Sequence, residues 1–216
     1  MKVAVLSESS ADEAAIAILA GGLCGHPVES IAKPPLRSRG WPSVRDVLTV
    51  VIKHLHYRTD AEGLIVVADS DGPIVHQQNS VGPARCDPGC RRCELFEICS
   101  REQQRLTAVA GRERLKIAIG LAVPAIEAWY RVGIDGGITE AAWIAGFQRV
   151  PPGPLYTKAE LKRAVYGTDR PSLRLETHRA TEEAQRLLTH IADLRTAFPG
   201  GFGCFAQDIE RWLAGG

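Results

Sequence analysis

The chain has 216 residues, 45% of them hydrophobic, which is enough to bury one sizeable core with a small satellite. Lys plus Arg (26) nearly balance Asp plus Glu (25), so a global basic field of the kind that coats nucleic acid is excluded, and any such surface has to be local. The opening MKVAVLSESSADEAA has too short an apolar run for a signal peptide and no later stretch is apolar enough for a membrane span, so a cytoplasmic protein without a membrane partner is expected.

In chain order, Val3 to Leu6 reads as a short buried strand. Ser10 with Glu13 forms a capping box that opens a helix over ADEAAIAILA, with Gly21 and Gly22 as its stop. Pro27 to Ile31 can form a second strand. Ser43 then caps a helix whose Val44, Val47, Leu48, Val51, Ile52 and Leu55 keep helical spacing, with His54 and His56 near its end. Leu64 to Ala68 is a third apolar strand, and the alternation of such strands with helices predicts a parallel sheet covered on both faces.

From Asp71 the pattern breaks, and residues 72–100 are expected to form a Cys-rich insertion. Ser100 with Gln103 is a second capping box, predicted to open a helix over REQQRLTAVAG. The strand LKIAIGLAV follows, then Pro124 ahead of AIEAWY. Thr157 with Glu160 precedes LKRAVYG, an amphipathic segment covers about Thr177 to Leu194, and CFAQDIERWLAG is a last short helix. The expected organisation is an α/β domain over residues 1–135, interrupted by that insertion, with a helical extension over residues 136–216 on the same core.

Ligands of parallel α/β sheets bind beyond the carboxyl ends of the strands. Glu8 follows the first strand, Asp69 and Asp71 the third, and Glu127 the fourth. Carboxylates gathered at one rim repel each other, and a hard cation, Mg²⁺ or Mn²⁺, is the usual remedy. Within an extended Asp-x-Asp, both side chains point to the same side and can face one ion. Each acid taken singly equally suits a cap or a solvated strand end, and Asp12 and Glu13, in a helix's first turn, read as structural.

The run CDPGCRRCELFEIC supplies Cys86, Cys90, Cys93 and Cys99. Four thiolates on a short irregular segment can close a tetrahedral Zn²⁺ shell and give a small insertion the folding energy it lacks. An iron–sulfur cluster fits four close cysteines as well. The Cys-x₃-Cys-x₂-Cys spacing also occurs in radical-SAM enzymes, but the fourth thiolate and the short strand pattern speak against that chemistry. Arg85, Arg91, Arg92, Arg101 and Arg105 flank the cluster and can hold nucleic-acid phosphates, or equally form a solvated face paired with Glu94, Glu97 and Glu102. Lys158, Lys162 and Arg163 read as solvent-facing, His76 as a lone loop histidine within reach of the acidic rim, and Trp129, Tyr130, Trp143 and Phe147 as core.

A strand ending in Glu8 (VAVLSESSADE), a helix, and a later strand ending in VVADSD together resemble the TOPRIM domain of topoisomerases, primases and the overcoming-lysogenization-defect nucleases. The string LAVPAIEAWY is similar to a group of TOPRIM-like proteins associated with bacterial defence against phage and mobile DNA. The resemblance covers residues 1–135 and implies a TOPRIM-like, Rossmann-like, mostly parallel sheet of about four strands flanked by helices. It further implies that Glu8 is a general acid or base or a metal ligand, that Asp69 and Asp71 are the Mg²⁺-binding pair, and that Glu127 is the acid of the later motif. Ser9 stands where the family usually has a glycine after its glutamate. The activity implied is Mg²⁺-dependent cleavage of phosphodiester bonds in DNA or RNA, in defence, with a partner protein such as an ATPase. Hydrolysis is the expected route, since a covalent one needs a tyrosine, and nothing in the sequence brings Tyr130, Tyr156 or Tyr166 to the acids. The alternatives are a non-catalytic sensor or subunit of a defence complex, and an iron–sulfur redox enzyme.

Overall fold

The computed structural model describes residues 1–34, 40–72, 74–77 and 86–214. Strands β1 (Lys2–Leu6), β2 (Glu29–Ser30), β3 (Gly63–Asp69) and β4 (Lys116–Ala122) form one sheet in the order β2-β1-β3-β4, every pair parallel. The apolar runs read as continuous because both faces are covered. Val3, Val5, Ile65 and Val67 enter one core, while Ala4, Leu6, Leu64 and Val66, the alternate residues, enter the other.

Helices α1 (Ser10–Cys24), α2 (Trp41–Arg58) and α3 (Arg91–Arg105) are followed, after β4, by α4 (Ile126–Trp129), α5 (Glu140–Gln148), α6 (Lys158–Tyr166), α7 (Leu173–Leu187), α8 (Ile191–Ala197) and α9 (Cys204–Ala214). Helices α1, α7 and α9 cover the first face, and Ala180, Ala184, Leu187, Phe205 and Ile209 share one core with Val3 and Ile65. Helices α2 and α3 cover the second face. Among the described residues no helix is long and apolar enough to cross a membrane.

Strand β4 lies at the edge of the sheet, where unpaired backbone groups invite another chain. Side chains occupy that edge instead. Gln103 Nε2 donates to Leu115 O at 2.6 Å, Trp212 Nε1 to Ile117 O at 3.3 Å and Arg92 Nε to Ile119 O at 3.1 Å, while Asp208 Oδ2 accepts from Ile119 N at 3.2 Å. The donors and acceptors come from α3 and α9.

Three local expectations are corrected. Helix α1 is capped by Ser9, whose hydroxyl accepts from Ala11 N at 3.3 Å, and it runs through Gly21 and Gly22 before ending at Gly25, whose φ is 74°. Gly22 is a packing residue, since a Cβ there would lie 2.5 Å from the Leu188 side chain, and the left-handed stop falls on Gly25. Helix α3 does not open at Ser100. It starts directly after Cys90 and ends at Arg105, because Leu95, Cys99 and Glu102 make one buried face at helical spacing, which outweighs the cap-like Ser100 and Gln103. The last ten residues of the expected insertion, 91–100, are therefore helix.

Candidate functional site

In a parallel α/β fold the carboxyl ends of strands and the amino ends of the following helices meet at one rim. Asp69 is the last residue of β3. Pairing continues past it, Ser70 N donating to Ala122 O at the end of β4 at 2.8 Å and Asp71 N to Pro124 O beyond β4 at 3.1 Å. Asp71 takes a φ of 57°, a left-handed conformation that aspartate tolerates better than most residues. The two carboxylates thus come to one side through a left-handed residue, not through the flat alternation of an extended strand. The Trp143 indole holds the next residue, donating to Gly72 O at 3.0 Å.

Both acids accept from Lys158. Its ammonium lies 2.7 Å from Asp69 Oδ2 and also bonds Asp71 Oδ1. Lys158 is the first residue of α6, and the capping box expected from the sequence is present, with Glu160 N donating to Thr157 Oγ1 at 3.2 Å and Thr157 N to Glu160 Oε2 at 2.7 Å. The lysine expected to face solvent is aimed at the acids. A cation at a helix amino end opposes the dipole, so its partners here have to be the aspartates.

Glu8 lies just beyond β1, and its Oε1 accepts from Asp69 N at 3.0 Å. Asp69 Oδ1 accepts from Ile126 N, the first residue of α4, at 3.1 Å. Arg91 completes this half of the rim. Its guanidinium donates to Asp71 Oδ2 at 2.7 Å and to Asp69 O at 2.6 Å, stands 3.6 Å from Glu8 Oε1, and lies 5.0 Å from the Trp41 ring centre. Burial, then the charge of Asp69, pushes the Glu8 carboxyl up to about 7. Burial also raises Asp69, against the pull of Lys158. For Asp71 burial is outweighed by Lys158 and Arg91, which hold it below the usual carboxylate range.

The rim continues past Glu127, buried on α4. Lys162, one turn after Lys158, lies 3.8 Å from Glu127 Oε1 and 3.6 Å from Glu176 Oε1 on α7, so it too faces acids and not open solvent. Burial, then Asp69, pushes Glu127 up to about 7. Asp12 joins them from the first turn of α1. Burial and the charges of Asp69, Glu127 and Glu176 raise its carboxyl well above the ordinary value. Sequence reasoning gave Asp12 a structural role only, as an acid in a helix's first turn, although that turn after β1 opens onto the same rim as Glu8. The hydroxyls of Tyr130 and Tyr166 adjoin these acids, and burial raises both far above the normal phenol range. Trp129 and Tyr130 are core residues as expected.

The second centre has three thiols and one imidazole. The ligand atoms of His76, Cys86, Cys90 and Cys93 all lie within 4.8 Å of one another, and the group can hold a metal ion. The three sulfurs stand 3.5, 3.6 and 3.5 Å from His76 Nδ1, and Cys86 Sγ stands 3.5 Å from Cys93 Sγ. Burial, with the Arg92 charge, pushes His76 down to about 4, which keeps the ring in the neutral form that ligates metals. Cys99, expected as the fourth ligand, does not belong to the group. It lies in the core between α3 and the sheet, among residues that include Leu95 and Ile119, where burial pushes its thiol up to about 12. His76 replaces it. Among the described residues the carboxylates of Glu8, Asp69 and Asp71 do not converge as tightly as this group.

The arginines separate by role. Arg91 reaches the acids, while Arg92 is an internal strut that bonds Ile119 O, Asp208 Oδ2 at 2.9 Å and His76 Nε2 at 3.3 Å. Arg101 and Arg105 sit 3.4 and 3.3 Å from Glu102 Oε1. Arg85 lies outside the described residues. Compared with known proteins, the chain matches no family model, no curated protein and no solved structure.

Proposed function

We propose that the chain is a Mg²⁺- or Mn²⁺-dependent TOPRIM-like nuclease of DNA or RNA whose Cys₃His centre is a structural zinc knuckle. The observation that carries the reading is the pair Asp69 and Asp71 sharing one ammonium at the carboxyl end of β3, next to the parallel strand β1 that leads into Glu8. A point where one cation bonds two carboxylates, with Glu8 beside it, offers the hard oxygen donors that Mg²⁺ and Mn²⁺ take. Bound there, such an ion would neutralise phosphoryl oxygens and lower the pKa of a bound water.

The chain's own residues supply the rest. With one oxygen of Glu8 accepting from Asp69 N and its carboxyl near neutral pH, the other oxygen can take or return a proton during phosphodiester cleavage. Lys158 and Arg91 bring two positive charges to the rim, which suits a phosphate backbone. The order of the three acids resembles TOPRIM domains, and a role in defence against phage with a partner ATPase rests on that resemblance alone.

Zinc is supported by distances. A tetrahedron with Zn–S of about 2.3 Å and Zn–N of about 2.0 Å has edges of about 3.5 Å between sulfur and nitrogen and about 3.8 Å between sulfurs. The sulfur–nitrogen spacings are 3.5, 3.6 and 3.5 Å, the Cys86–Cys93 sulfur spacing is 3.5 Å, and all four ligand atoms lie within 4.8 Å of one another, as a tetrahedral shell needs. A histidine in place of the fourth thiolate also weighs against the iron–sulfur alternative.

A second reading has its own observation. Lys158 and Arg91 already neutralise the aspartate pair, as built-in counter-ions of a module that senses or scaffolds without cutting. Mn²⁺ titration and a cleavage assay on the wild type and on Asp69→Asn with Asp71→Asn separate the two. The nuclease reading expects Mn²⁺ binding at millimolar concentration or tighter and cleavage, both lost in a double variant that stays folded. Cleavage that persists in the double variant refutes it, and a wild type that binds no Mn²⁺ selects the second reading.

A further inference from the structure

We propose that a metal bound by His76, Cys86, Cys90 and Cys93 is what sets Arg91 against the acidic rim, making Arg91 a positioning residue of that rim and coupling the two centres. The inference rests on the metal-centre half of the reading above and not on its nuclease half. Cys90, Arg91, Arg92 and Cys93 are consecutive. The outer two carry thiols of the centre, while the guanidiniums between them diverge, Arg91 to Asp71 and Arg92 to Asp208.

The arginine contacts and the metal centre therefore join the same two segments, with Arg91 also donating to Asp69 O and Arg92 lying 3.3 Å from His76 Nε2. Asp71 and His76 lie on the segment that leaves β3, and Arg91 and its flanking cysteines lie on the first turn of α3. The Asp71–Arg91 ion pair and the His76–Cys90 and His76–Cys93 approaches bridge the same gap. Once one tie is made, the other no longer bears the loop-closure entropy, so each strengthens the other. An exposed ion pair alone is worth little, and a metal–thiolate shell is worth much more, so the metal is the dominant partner.

Arg92 ties the same turn to Ile119 O and Asp208, but these bonds hold it to β4 and α9 and not to the segment that carries Asp71 and His76. Cys90, in the N-cap position of α3, makes no side-chain capping bond. The His76 end is anchored to the core. Its carbonyl oxygen packs so closely on Gly200 that a Cβ there would lie 2.0 Å away, and Glu140 holds that glycine segment by accepting from Gly200 N at 2.8 Å and Gly201 N at 2.6 Å.

Coupling is reciprocal, so it can be read from the metal side on folded protein. Zinc affinity is measured by competition with a chromogenic chelator for the wild type, Arg91→Met, Asp71→Asn and the control Arg101→Met, whose arginine lies on the same helix but pairs with Glu102. Methionine matches arginine in helix propensity. The expected result is zinc binding weakened about 5- to 10-fold in Arg91→Met and Asp71→Asn and unchanged in Arg101→Met. Equal affinity in Arg91→Met and Arg101→Met overturns the proposal.

A second readout follows the Arg91 Nε–H resonance by ¹⁵N NMR as zinc is withdrawn, with Arg186, whose Nε donates to Glu183 at 2.7 Å, as the marker of an intact fold. Loss of the Arg91 signal while that of Arg186 stays supports the coupling, and an Arg91 signal indifferent to zinc overturns it. A protein that shows both effects yet cuts nothing keeps this inference and loses the nuclease reading.

Discussion

Two carboxylates that share one hydrogen-bonding partner cannot both stay ionised in a partly buried rim without a cation between them, and Lys158 is that cation here. The aspartates were legible from Asp-x-Asp after an apolar strand. Lys158 was not, because its direction depends on how α6 packs beside α4. A signal was nevertheless present, since a lysine directly after an N-cap stands against the helix dipole and needs acids to hold it. Glu127 shows the other cost of gathering acids. Its carboxyl is raised from 4.5 to about 7 by burial and Asp69, so it favours the folded state in full below about pH 4.5 and that contribution is lost as pH rises through 7. Glu127→Gln removes the titration. Between pH 5 and pH 8, urea unfolding should show the wild type losing on the order of 2–3 kcal/mol more stability than the variant. Parallel pH profiles for the two proteins would contradict the assignment.

Among the elements, α3 separates what spacing reveals from what it hides. The cysteine run announced a metal centre, and three of its four thiols converge. The fourth was misread because Cys99 follows Leu95 by four residues and precedes Glu102 by three, the spacing of a buried helix face, and that periodicity outranks the count of cysteines. His76 was out of reach of pattern reading, since a lone loop histidine gains meaning only when the loop folds back on α3. The correction has a direct test in metal content. Cys99→Ala should keep one zinc per chain, at a cost in stability for the small cavity, whereas His76→Ala should bind zinc at least 10-fold more weakly. Zinc lost equally from both variants would restore Cys99 as a ligand.

The whole molecule gathers charge by topology. Strand ends deliver Glu8, Asp69 and Asp71, and helix starts deliver Asp12, the Ile126 amide and Lys158, all to the rim that a parallel sheet creates. The alternation of strands and helices, and hence the rim, could be read from the sequence. The far side of the rim could not, because Asp12 and Glu176 meet Glu127 only through the packing of α1 against α7. The edge of the sheet makes the same point, since Asp208 and Trp212 seal β4 from nearly a hundred residues away.

On the proposed reading, Asp69 and Asp71 hold a divalent ion in the working protein. Anomalous scattering from a crystal soaked in Mn²⁺ tests it directly. The expected result is a manganese peak within ligand distance, about 2.1–2.2 Å, of oxygens of both Asp69 and Asp71, with the Lys158 ammonium displaced from between them. A crystal with no peak there and Lys158 still bridging the two carboxylates would contradict it.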